Sequence, residues 1–278
     1  MESTVLANVD GAIGADGGAV RAAAGRREER LLTTWRDPGE TTGGDFDDKD
    51  VAIRQFERAF GEAQARGDNA EVQGDLLTGT GRILPELAAL YDAAASCQRC
   101  PGMGCPPVLS RANGRGDARV LLVGEAPGRL GAGRTGVPFS GDASGDRFER
   151  LLEATGLSRG EVFVTNAALC LPLDARGRNR PPRPSEIANC TQWLRATVAM
   201  LQPSLVVGMG AVALRALSHI EAHTLTLSAA GQAPVGWNGR YLTTTYHPAA
   251  RAQIHRPLSA QFEDWRHIGA WIRANLGG

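Results

Sequence analysis

Four of the five cysteines form a pattern that restricts how the chain can fold. Cys97 and Cys100 make a tight C-x-x-C pair, and Cys170 and Cys190 stand alone far downstream. A C-x-x-C pair sets two thiolates on one side of a turn, and distant singles complete a four-thiolate cage only where the chain returns to that turn. Such a cage ties the start of a domain to its middle. Cys105, close behind the pair, is either a buried thiol or a replacement ligand.

The 278 residues are 42% hydrophobic, enough for one core of about 180 to 200 residues plus a tail. Thirty basic and thirty acidic residues cancel, so net charge points to no polyanionic partner, although a local basic face is compatible with it. No charged start leads into an apolar run after Met1, and no apolar stretch reaches the roughly 18 residues of a membrane span. The expectation is a cytosolic monomer with no membrane contact, in which thiols serve as metal ligands or redox groups rather than in disulfides.

Composition shifts near residue 80. Residues 1–80 carry GADGGA, RREER and GETTGGDFDDKD with few large apolar side chains, a composition that predicts a largely disordered tail. Within it, Ile53, Phe56 and Phe60 have helical spacing over 51–65. Residues 81–278 form the predicted domain, opening with a helix over 83–95 whose apolar face is Leu84, Leu87, Leu90 and Tyr91.

The period then changes. The run RVLLV at 119–123 ends in glycine and a proline-containing loop, as a buried parallel strand does. Further strands are predicted at 162–165, 205–208 and 241–245. Helices are predicted at 146–155, at 186–201 behind Ser185, at 211–217 and near 260–274. Alternating strands and helices imply an α/β three-layer sandwich, with a mostly parallel four-stranded sheet flanked by helices. Ligands bind such sheets at the carboxyl ends of the strands. Glu125, Asn166, Gly210 and His247 each follow a predicted strand, so four separated segments are expected to converge on one pocket.

GEAPG at 124–128, RTGVPFSGDASG at 134–145, VTN at 164–166 with Cys170 soon after, NRPPRPSEIANC at 179–190 and YHP at 246–248 together resemble the uracil-DNA glycosylase superfamily, in particular its iron–sulfur families 4 and 5. The resemblance spans about residues 84–276. GEAPG resembles family 4. RTGxPFxGDASG resembles family 5, in which an apolar residue usually occupies the position of Glu125.

That resemblance implies a monofunctional glycosylase that hydrolyses the N-glycosidic bond of uracil, or another deaminated base, in DNA during base excision repair. The leaving base carries negative charge and the sugar positive charge, so the site needs donors at the base and an anion near the sugar. Asn166 would accept from N3–H and donate to O4 of a flipped uracil, and Phe139 would offer it an aromatic face. Gly124 and Ala126 fall in the substrate-binding stretch, and His247 would donate to O2. Water and the cation would fall to Asp142, the preferred carboxylate, or to Glu125. No lysine lies in any motif, which fits hydrolysis without a covalent lysine intermediate.

The resemblance further implies a 4Fe-4S cluster on Cys97, Cys100, Cys170 and Cys190, whereas spacing alone suits zinc equally well. Arg176, Arg178, Arg180 and Arg183 crowd a proline-stiffened loop that would meet DNA phosphates, extended by Arg251 and Arg256. After the His-Pro dipeptide, where the chain of relatives enters DNA at the lesion, this protein has Ala249 where serine is common. A catalytically silent iron–sulfur protein that binds damaged or single-stranded DNA is the alternative. A zinc deaminase would need H-x-E upstream of P-C-x-x-C, a pattern that is not present; a Rossmann cofactor site is the rival reading of the glycine-rich loop and is not favoured.

Overall fold

Three five-residue runs in which every residue is buried, β1 (Val120–Gly124), β2 (Val162–Asn166) and β3 (Leu205–Met209), lie side by side in one sheet with β1 between the other two. Their near-continuous apolar character follows from being covered on both faces, as in any parallel sheet. The computed structural model describes residues 85–277. The expected tail over 1–80, its helix over 51–65 and the first residues of the helix expected from Ile83 lie outside them.

Two further strands complete the sheet, β4 (Val235–Trp237) and β5 (Arg240–Thr245). The order is β2-β1-β3-β5-β4, with the first four parallel and β4 antiparallel to β5. The sheet therefore has five strands, not the expected four. β4 escapes a search for apolar runs because it is short, and Val235 and Gly236 are exposed. Asn238 and Gly239 join it to β5 with φ of 49° and 69°, the double left-handed geometry of a tight hairpin turn.

Six helices flank the sheet among the described residues: α1 (Pro85–Ala95), α2 (Ala132–Thr135), α3 (Ala143–Thr155), α4 (Pro184–Leu201), α5 (Ala211–Ser218) and α6 (Leu258–Asn275). On one face, Val120, Leu122, Val162, Val164, Val207 and Met209 pack against Phe148, Leu151 and Leu152 of α3 and against Trp265 and Ile268 of α6. Burying each such side chain stabilises by roughly 1.5–3 kcal/mol, so a polar residue at Phe148 or Leu151 would detach α3. Alternation sends Leu121 and Val206 to the other face, where α1 packs on α4 and α5 lies against β3. Gly208 lets α5 approach closely there, since a Cβ would stand 3.0 Å from Leu214 and force its side chain to shift.

Two helix starts differ from expectation. α3 begins at Ala143 rather than Asp146, because Asp142 Oδ1 accepts the backbone N–H groups of Ser144 and Gly145 and so caps it. α4 begins at Pro184, whose fixed φ suits a first turn. There Glu186, not Ser185, organises the end by accepting the Arg183 N–H at 2.7 Å.

The outer edge of β2 is covered rather than exposed. Buried Asn113 donates to the Val164 carbonyl at 2.7 Å, and Gly114 bridges to Phe163. β2 and β3 lie on opposite sides of β1, so the winding reverses at β1. The crevice at the carboxyl ends beside such a reversal is where sheets of this kind bind ligands.

Candidate active site

A cavity of about 310 Å³ occupies that crevice, lined by Glu125, Ala126, Phe139, Asp142, Asn166, His247 and Arg251 among others. The catalytic and base-binding residues expected from the sequence are thus brought together from separated segments. Gly124 lies just beneath. Gly210, the fourth expected strand-end residue, is outside the lining but 3.4 Å from His247 Cβ, measured from its own ideal Cβ position.

Gly124 and Asn166 are register partners at the ends of β1 and β2, and the ladder continues beyond them as Ala167 and Ala168 donate to the Gly124 and Glu125 carbonyls. This continuation holds Glu125 and Ala126 against the cavity. Asn166 is 3% exposed. A Cβ on Gly124 would stand 2.5 Å from Asn166 Oδ1 and 2.9 Å from Phe139 Cζ, so only glycine lets the amide and the ring share the floor.

Phe139 has φ of 52°, a conformation rare for a bulky residue. It is held there from both sides. Its ring stacks on Phe148 with centroids 4.6 Å apart and lies 5.4 Å from the His247 ring, and Arg159 donates to the preceding carbonyl, that of Pro138, at 2.7 Å. Gly145 lies against the Phe139 carbonyl so closely that a Cβ would come within 2.5 Å of it.

His247 follows β5, and Arg147 of α3 pins the next residue by donating to the Pro248 carbonyl at 2.5 Å. The Ala249 N–H donates to His247 Nδ1 at 3.1 Å, which makes Nδ1 the acceptor and leaves the proton of a neutral ring on Nε2. Burial lowers its pKa to about 4, with the positive charges of Arg251 and Arg147 adding to the effect and Asp142 opposing it. The residue is therefore a neutral donor at physiological pH.

The two carboxylates differ in their ties. Asp142 Oδ1 is committed to the α3 cap, while Oδ2 faces Gly128 and Gly131, where added Cβ atoms would stand 3.1 Å and 2.4 Å away. Glu125 Oε2 meets the Arg251 guanidinium at 2.7 Å.

A second, smaller cavity is lined by Cys97, Cys100, Cys170 and Cys190, the four cysteines of the expected cage. Cys105 is outside that lining and instead accepts the Leu171 N–H at 3.3 Å. Burial pushes the Cys170 thiol up to about 12 and the Cys190 thiol to about 11, with the neighbouring cysteines adding to each shift. Leu169 N–H and Asn189 Nδ2 donate to Cys190 and Cys100 at 3.5 Å. Among the described residues, no three His, Cys, Asp or Glu side chains come together as the ligands of one metal ion would. The donor chemistry itself, four soft thiols from separate points around one space, is suited to an iron–sulfur cluster.

The arginines of the basic loop have unequal roles. Arg178 is exposed but pairs with Asp174 at 2.8 Å, and Asp174 also accepts the N–H groups of Arg176 and Arg178. Arg183 is exposed at the start of α4. Arg180 turns inward, making two bonds to Glu186. Arg256, rather than extending the patch, is paired with buried Asp264.

Asn179, Ser144 and Ile254 had no assigned role in the sequence reading. Asn179 and Ser144 line the larger cavity; Asn179 opens the NRPPRP motif, which was its one visible signal. Ile254 ends the short helical turn Ala250–Ile254 that follows His247-Pro248 and is 83% exposed, an apolar side chain left in solvent.

Residues 112–268 match the family model of the Uracil DNA glycosylase superfamily. The type-4 uracil-DNA glycosylase of Thermotoga maritima is 32% identical over 151 residues, 52% of this chain and 74% of that protein. The type-5 enzyme of Thermus thermophilus is 34% identical over 195 residues, 60% of this chain and 81% of the other. For the type-5 enzyme of Pyrobaculum aerophilum the figures are 34% over 146 residues, 48% and 62%. With an α/β sheet, a strand-end cavity and this match, the chain belongs to the uracil-DNA glycosylase superfamily. Type-4 and type-5 relatives match at similar identity, in keeping with its mixture of both sets of motifs. No described helix is long and apolar enough to cross a membrane.

Proposed function

We propose that this protein is a monofunctional uracil-DNA glycosylase. The observation that carries the reading is the convergence, in one cavity of about 310 Å³, of a buried amide, a neutral imidazole donor and two carboxylates. A flipped uracil seated against Phe139 would present N3–H and O4 to the Asn166 amide, a pattern that cytosine cannot match. His247 Nε2–H would donate to O2 as charge develops there. Because the ring is already neutral, it stabilises the anion without giving up a proton.

Hydrolysis then needs water at C1′. Asp142 Oδ2 is the preferred oxygen to orient it, and the carboxylate also stabilises the positive sugar. The water oxygen bonds to C1′ as the C1′–N1 bond breaks, and the proton it sheds passes to Asp142 and on to solvent. The uracil leaves with the bonding pair and later takes a proton from solvent, and the product is an abasic site. Arg178, Arg183 and Arg251 would contact phosphates around the cavity mouth, and Ile254 would occupy the gap left by the flipped base.

A 4Fe-4S cluster held by Cys97, Cys100, Cys170 and Cys190 would supply a structural tie rather than redox chemistry. It would join the start of the domain to the loop before α4.

The test is anaerobic purification followed by cleavage of a labelled uracil-containing oligonucleotide, with hot alkali to break abasic sites. An alkali-dependent band is the expected result. If a brown, cluster-loaded preparation gives no band on uracil, hypoxanthine or xanthine, the enzyme reading fails and the DNA-binding alternative takes its place.

A further inference from the structure

Arg180 and Glu186 join the two cavities. Arg180 lines the base-sized cavity and Glu186 lines the cysteine cavity. The two guanidinium nitrogens stand 2.7 Å and 2.6 Å from the two carboxylate oxygens. Their side chains are only 19% and 9% exposed. A forked, largely desolvated pair of this kind fixes orientation as well as charge.

Contacts run outward from this pair in both directions. Glu186 and Cys190 are one turn apart on the same face of α4, and Asn189 between them donates to Cys100 Sγ and to the Arg99 carbonyl. In the other direction, Arg180 donates through Nε to the Leu173 carbonyl at 2.9 Å and through its N–H to Pro172 at 3.2 Å. That places Asn179, its chain neighbour, where Oδ1 accepts the Arg129 N–H at 3.0 Å. Arg129 belongs to the glycine loop that passes beside Asp142 Oδ2, so closely that a Cβ added at Gly128 or Gly131 would meet that oxygen.

We propose that the Arg180–Glu186 pair is a positioning element, transmitting the geometry of the cysteine cage through Asn179 and the Arg129 amide to Asp142. Arg180 then acts within the protein rather than on DNA phosphate. The inference rests on reading the larger cavity as the glycosylase site and the smaller as the cluster site. Hydrogen bonds and the intervening backbone carry the route from Cys100 to the Arg129 amide, and the close approach of the glycine loop carries it to Asp142, a physical route of the kind that can couple two sites.

The test uses the full chain, purified with its cluster, as wild type, Glu186→Gln and Arg180→Lys. Both substitutions keep size and solubility while weakening the fork. Hydrogen exchange is the readout that does not depend on activity. Amides over 128–133 should exchange about tenfold faster in both variants, while β1 to β3 keep their protection. Visible cluster absorbance should remain, and the single-turnover rate on uracil DNA should fall by about 10²-fold with affinity nearly unchanged.

Unchanged exchange over 128–133 would overturn the proposal. So would an unchanged single-turnover rate with weakened DNA affinity, the behaviour of a phosphate contact. If the wild type cleaves nothing, the glycosylase reading fails, and the exchange result still decides whether the two cavities are coupled.

Discussion

Arg251 Nη2 lies 2.7 Å from Glu125 Oε2, closing an ion pair between the loop after β1 and the loop after β5 at the mouth of the cavity. Arg251 is 60% exposed in its side chain and Glu125 17%, so the guanidinium is open to solvent and to a competing phosphate while the carboxylate is mostly covered. Arg251→Ala should weaken binding to uracil-free and uracil-containing duplex alike. The slope of log affinity against log salt should fall in magnitude by about 1. Filter binding over a salt series measures this, and an unchanged slope would remove Arg251 from the DNA contacts.

Asp142 combines two roles that one substitution separates. Asn caps helices as well as Asp does, so Asp142→Asn should leave the thermal midpoint near that of the wild type while single-turnover cleavage falls by about 10² to 10⁴-fold. Asp142→Ala should in addition lose about 1 kcal/mol of stability with the cap. A wild-type rate in Asp142→Asn would transfer the water to Glu125.

His247 predicts an unusual pH response. Its pKa is lowered from 6.5 to about 4, so between those values the unfolded chain binds the proton that the folded protein refuses. The stabilising contribution of the neutral ring is full above about pH 6.5 and is lost as pH falls toward 4. Over the same window the ring stays neutral, and cleavage that uses it as proposed should show no inflection near 6.5. Thermal melts and a pH–rate profile in parallel would check both, and an inflection near 6.5 would show that the ring titrates normally.

The cysteines give the simplest contrast. Cys170→Ser should abolish the visible absorbance and iron content of anaerobically purified protein, because Cys170 lines the cavity. Cys105→Ser should retain both, since Cys105 lies outside that lining and accepts the Leu171 N–H. Loss of iron in the second variant would bring Cys105 into the ligand set.

The parallel strands were legible because burial on both faces writes an uninterrupted apolar run, as at Val120–Val123 and Leu205–Val207. The residues behind those runs, Glu125, Asn166 and His247, then had to meet at one sheet end. β4 was missed because an exposed edge strand carries no such run, although Asn238-Gly239 is the sort of dipeptide that closes a hairpin. The true start of α3 was missed because Ala143, Ser144 and Gly145 read as loop. Only the bonds to Asp142 show otherwise. Arg180 was grouped with its neighbouring arginines, since a sequence displays a charge but not the carboxylate it turns toward. Glu186, six residues on, is the partner.

The register that places Gly124 opposite Asn166 has a consequence for how the protein drifts over evolutionary time. The position of the amide at the cavity is measured out by the hydrogen-bond ladder between β1 and the edge strand β2 rather than by the loops around it. Substitutions in the loops can retune grip on DNA or tolerance for a bulkier base while the ruler stays in place. A slip of one residue would put Thr165 where Asn166 stands and turn the amide to the other face. On the proposed reading of Asn166, selectivity for the base is inherited from the sheet, and changing it by small steps is correspondingly hard.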